Sequence, residues 1–104
     1  MRHYRSYKEH LIESLKDPEE ASAYLESCLE EALETREFGI FLLAVRDVVE
    51  AQGGVSSVSE KMEAGRESLY KSLTEESKPR FSTIMLALKA CGFGIGIHPT
   101  NSQN

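Results

Sequence analysis

No apolar run in this chain approaches the roughly 20 residues a membrane-spanning helix needs, and Met1-Arg2-His3-Tyr4 lacks the hydrophobic stretch of a secretory signal, so a soluble, cytoplasmic protein with no membrane partner is expected. Cysteine is scarce too. Cys28 and Cys91 each sit in a helical pattern, and neither has a second thiol or a histidine at metal-ligand spacing, which argues against a disulfide scaffold or a metal site. Both read as ordinary packed thiols. His3, His10 and His98 lie near the chain ends with no nucleophile beside them, and Gly92-x-Gly-x-Gly96 lacks a phosphate-binding glycine pattern. No catalytic residue and no cofactor are expected, and the chain does not read as an enzyme. Basic residues are outnumbered as well: the net charge of −5 argues at first against nucleic acid, whose phosphates draw on Lys and Arg.

What is present changes that reading. With 40% hydrophobic residues, 104 residues suffice for a single domain that buries about 60–70% of its unfolded surface. Residues 1–37 hold five basic side chains against ten acidic, whereas residues 64–92 hold five basic against three acidic. An acidic N-terminal arm joined to a mildly basic second half points to two different partners.

Tyr7, Leu11, Ile12 and Leu15 recur at helical spacing up to Asp17-Pro18. Asp17 is a good N-cap, Pro18 suits a first helical position and Glu20 falls three residues after Asp17, which predicts a helix from Pro18 to about Thr35. Its apolar stripe is Tyr24, Leu25, Cys28, Leu29, Ala32 and Leu33, leaving Glu19, Glu26, Glu30, Glu34 and Glu37 on the other side. Phe38 to Ala51 is apolar over so broad a surface that it reads as the central helix, stopped by Gly53-Gly54.

Residues 54–73 fit two short helices across a tight turn. The first starts between Val55 and Ser57, with Ser57 and Glu60 as a capping pair, and turns Val58 and Met62 inward. The second starts after Gly65 and turns Leu69 and Leu73 inward, leaving Arg66, Glu67, Tyr70 and Lys71 outside, where a helix entering the DNA major groove would carry them. Arg66 is the leading reader of guanine O6 and N7; Glu67 suits a cytosine amino group or merely balances Arg66 and Lys71, Tyr70 suits a thymine methyl or the backbone or belongs partly to the core, and Lys71 suits a base or a phosphate. Ser56, Ser57, Lys78 and Arg80 suit phosphate contacts around the rim. Ser82 caps a last helix running to Gly92.

Phe93, Ile95 and Ile97 alternate with glycines, the pattern of a strand with one apolar face. In a helical chain such a strand needs a partner, and the same strand of a second copy would supply it, giving a homodimer; a tail packed on its own domain, or a strand paired with the N-terminal segment, are the alternatives. The fold class is therefore all-α: a five- to six-helix bundle with a short C-terminal strand. Residues 1–37 form the acidic helices, 38–92 the helix-turn-helix core and 93–98 the strand.

The series Leu15-Lys-Asp-Pro-Glu-Glu-Ala-Ser-Ala-Tyr-Leu25, Phe41-Leu-Leu-Ala-Val-Arg-Asp-Val48, Arg66-Glu-Ser-Leu-Tyr-Lys71, Pro79-Arg-Phe-Ser-Thr83 and the closing Leu-Lys-Ala-Cys-Gly-Phe-Gly-Ile resembles the addiction-module antidote proteins over roughly Leu11 to Pro99. The resemblance implies a lambda-repressor-like helix-turn-helix and two tasks: neutralising a small basic ribonuclease-type toxin by direct binding, and repressing the chain's own promoter on double-stranded DNA. Glu19, Glu26, Glu30 and Glu34 are then available to the toxin and the second half to the operator. The chain departs from the family pattern at Ser59, where a small residue is usual, at Glu63 in place of glycine and at Gly65 in place of a Ser or Thr cap. A stand-alone repressor without a toxin, or a helical adaptor that no longer binds DNA, are the competing functions.

Overall fold

Asp17 and Pro18 set the sharpest boundary in the chain. The Asp17 carboxylate accepts a hydrogen bond from the Glu19 N–H at 3.1 Å, and Pro18, with its φ already helical, opens α2, Pro18–Thr35. Before it lies α1, Arg2–Ser14, and after it α3, Gly39–Ala51, α4, Val55–Glu60, and α5, Phe81–Ala90. The computed structural model describes residues 2–62, Leu69 and 80–100, with side chains from Tyr7 onward. Among these residues the protein is all-helical, with five helices.

α3 is the central element, as its breadth of apolar surface predicts: it packs against α1, α2, α4 and α5 and buries Ala44, Val45, Val48, Val49 and Ala51. Leu15, Ala21, Leu25, Val58, Met62, Leu69, Ala87 and Leu88 complete the core around it. Fully burying a Val or Leu side chain contributes about 1.5–3 kcal/mol, so this cluster, gathered from every described helix after α1 and from the α1–α2 joint, is what holds the helices together. Leu69 is 1% exposed and lies in helical backbone, the inward position its spacing predicts, and Val58 and Met62 are buried as well. Leu73 lies outside the described residues.

Two glycine-ended helices show how the chain turns its corners. At the end of α3 the Gly53 N–H donates to Glu50 O at 3.2 Å and the Gly54 N–H to Val49 O at 3.0 Å, with φ of +109° and +97°, which satisfies two carbonyls a helix end leaves unpaired. Gly54 O then accepts from the Val58 N–H at 3.0 Å, so one residue closes α3 and starts α4. The capping pair expected of Ser57 and Glu60 is therefore not used: Gly54 is the N-cap, and Ser57 lies inside the helix. Likewise α5 starts one residue before the expected Ser82 cap, with Arg80 in extended backbone as its N-cap and Arg80 O accepting from the Thr83 N–H at 3.0 Å.

The strand expected over 93–98 is not formed. The Gly92 N–H donates to Lys89 O at 2.9 Å and the Phe93 N–H to Leu88 O at 3.1 Å, so Phe93 is committed to ending α5, and its ring packs half-buried against the core. Beyond it the backbone has no strand partner among the described residues, and alternation without a partner leaves an extended tail. Ile95 is 51% and Ile97 99% exposed. No sixth helix is delimited either; the fold is five helices among the described residues.

Candidate functional site

The apolar stripe of α2 is narrower than its sequence pattern. Ala21, Leu25 and Ala32 are buried and Tyr24 and Cys28 partly so, but Leu29 and Leu33 remain 39% and 56% exposed. At about 100° per residue these two leucines stand well off the line through Ala21, Leu25 and Ala32. The small alanines let α2 lie close on its neighbours, and the contact ends before it reaches Leu29 and Leu33.

Glu19, Glu26, Glu30 and Glu34 are all exposed, on the side of α2 facing away from the core. The helix carries six glutamates and no Lys or Arg, and none of its glutamates has an ion pair among the described residues. Glu19 and Glu20, in the first turn, suit the positive end of the helix dipole. The others do not: Glu26, Glu30 and Glu34 follow one another at i,i+4, where like charges repel, and the last turn has no basic residue to meet its negative end. Along this row of about 12 Å, charge is left unbalanced.

α2 is pinned by a network that joins three helices. The Tyr24 hydroxyl donates to Asp47 Oδ2 at 2.9 Å, and Lys8 Nζ lies 3.5 Å from Asp47 Oδ1 and 3.7 Å from Glu50 Oε1. Burial, reinforced by the hydrogen bond to the Asp47 carboxylate, raises the Tyr24 hydroxyl pKa far above its ordinary 10.0. These partners are 23 and 39 residues apart in the chain, and no local pattern announces them.

Both cysteines are free. Burial raises the Cys28 thiol, helped by the charges of Glu31 and Asp47, and raises Cys91 from 9.0 to about 11 despite the opposing charge of Lys61. Folded Cys91 thus keeps its proton where the unfolded thiol loses it; its contribution to stability is complete below pH 9 and is lost as pH rises toward about 11. Thiol labelling at about pH 8 is expected to be much slower in the native protein than in urea, with Cys91 accelerating only in strong alkali; equal rates in both states would contradict this.

In the second half, Ser56 is exposed in the first turn of α4, Ser57 is half-buried and Arg80 is exposed at the start of α5. Ser59 is buried and its hydroxyl donates to Ser56 O at 3.1 Å, so the departure at this position is accommodated with its polar group satisfied. Arg66, Glu67, Tyr70, Lys71 and Lys78, with Glu63 and Gly65, lie outside the described residues. Among the described residues no group of three or more His, Cys, Asp or Glu could hold a metal ion, and no helix is long and apolar enough to cross a membrane.

Among the described residues, then, the protein is all-helical, and the exposed glutamates of α2 have no ion pair. Residues 7–99 match the model of the family described as "Probable addiction module antidote protein", and the chain belongs to that family of antidotes (antitoxins). A cognate toxin is the partner this membership implies. Comparison with curated proteins and with solved structures finds no match.

Proposed function

We propose that this antidote neutralises a small basic ribonuclease-type toxin by holding it on the glutamate face of α2 and represses its own promoter through the second half of the chain. The observation that carries the first part is the exposed row of Glu19, Glu26, Glu30 and Glu34, which has no ion pair among the described residues. Opposite charge steers a cationic protein toward this face and selects against acidic partners.

For the second part, we read residues 54–73, which begin with α4, as a lambda-repressor-like helix-turn-helix. Support comes from the burial of Val58, Met62 and Leu69, the inward positions that the helical spacing of residues 54–73 predicts; we assign base contacts to Arg66, Glu67, Tyr70 and Lys71. Ser56, Ser57, Lys78 and Arg80 contact phosphates. A homodimer, associating through the exposed Ile95 and Ile97 beside Phe93, sets two reading helices about 34 Å apart on an inverted-repeat operator.

Titration of Arg66→Ala and wild type with a DNA fragment from the region upstream of the gene tests the DNA reading. The variant is expected to lose its preference for that fragment over random DNA while keeping its thermal midpoint, since a bidentate arginine–guanine pair contributes about 1–3 kcal/mol of discrimination. Equal preference in both proteins removes Arg66 from the interface.

A further inference from the structure

Leu29 and Leu33, more than a third exposed, lie four residues apart on α2 and therefore on one side of it, directly beside the row Glu26, Glu30, Glu34. From this juxtaposition we infer that α2 presents a docking ridge for a cationic amphipathic segment of the toxin, whose Lys and Arg side chains meet Glu26, Glu30 and Glu34 while its apolar side chains cover Leu29 and Leu33. The inference rests on the reading of α2 as the toxin-binding face and adds the chemistry of what sits there.

The charge fixes the occupant. Six glutamates with no basic residue on the helix repel one another and oppose the dipole at its C-terminal end, and a cationic segment relieves both. A second copy of this chain laid on the same face would set glutamate against glutamate, and an acidic or uncharged helix would bury carboxylates without partners. The leucines supply what the glutamates cannot: exposed charge pairs mainly govern encounter rate and selectivity, whereas covering apolar side chains at the centre of a contact slows dissociation.

The test uses the full-length protein and its cognate toxin, with association and dissociation rates measured at two salt concentrations. Leu29→Gln/Leu33→Gln keeps residues that favour helix at two half-exposed sites, so the fold survives; Leu33→Gln alone, at the more exposed site, serves as a second variant. The double variant is expected to bind about 10- to 100-fold more weakly, almost entirely through faster dissociation, with the salt dependence of association unchanged. Glu26→Gln/Glu30→Gln is expected instead to slow association and flatten its salt dependence. Wild-type binding by both leucine variants, with binding lost in the glutamate variant, overturns the apolar ridge and leaves the acidic toxin face standing. Binding indifferent to both kinds of variant overturns the toxin face itself.

Discussion

Glu30→Lys is expected to make the free protein more stable and its complex with the toxin about 100-fold weaker. Glu30 lies one turn from both Glu26 and Glu34, and the free helix has no cation to offset them. Lysine at this position converts two repulsive i,i+4 contacts into attractive ones at about 0.2–0.5 kcal/mol each and places positive charge toward the negative end of the helix dipole. The sum is on the order of 1 kcal/mol before salt screening, a rise of about 4 °C in thermal midpoint for a domain of this size. The same lysine sets like charge against a basic partner at the middle of the face, and a loss of about 2.7 kcal/mol corresponds to the expected 100-fold. Opposite signs in the two measurements distinguish a binding face from a structural one: a variant that loses stability and binding together would mean that Glu30 serves the fold. Scanning calorimetry and titration calorimetry on one preparation read both.

Gly54→Ala is expected to lower the thermal midpoint by about 4–12 °C. At φ +97° and ψ 172° Gly54 occupies a region of backbone space that is essentially glycine-only, where an alanine costs about 1–3 kcal/mol. A methyl there would meet nothing within 4 Å, so the penalty is conformational and cannot be relieved by moving a neighbour. Because Gly54 both caps α3 and accepts the first hydrogen bond of α4, relaxation of its backbone shifts α4 relative to α3 and with it Val58 and Met62 in the core. Gly39→Ala is the control: its added Cβ also meets nothing within 4 Å, its φ is ordinary, and the midpoint should hold. Equal midpoints for Gly54→Ala and wild type would show that α4 is not anchored by this corner.

The elements that could be read from the sequence are those encoded by neighbouring residues. Asp17-Pro18 announces the start of α2 because cap, ring and first turn are contiguous, and Gly53-Gly54 ends α3 because both conformations need glycine. Ser57 and Ser82 have the right side chains for caps, but backbone carbonyls three and two residues earlier, at Gly54 and Arg80, take the first helical hydrogen bonds, which no side-chain pattern displays. The 93–98 alternation misleads for a related reason: a strand depends on a partner, and Phe93 is drawn into the end of α5. Arg36 adopts a left-handed φ of 65° at the end of α2, a conformation glycine or asparagine would have signalled and arginine does not.

The candidate site divides in the same way. The glutamate face of α2 follows from helical spacing alone, and all four of its named members are exposed. The leucines beside it read as core because their spacing fits the buried stripe; only the width of the contact made by Ala21, Leu25 and Ala32 leaves them outside. The Tyr24–Asp47–Lys8 network, which fixes α2 against α1 and α3, depends on the tertiary fold and has no counterpart in local sequence.

Stopped-flow association of the wild-type protein with its cognate toxin, at about 50 mM and about 500 mM salt, addresses the acidic toxin face most directly, because steering by the exposed glutamates is screened within about a Debye length. A rate that falls at least tenfold between the two conditions is the predicted result. A rate indifferent to salt, or no complex at either concentration, would contradict it.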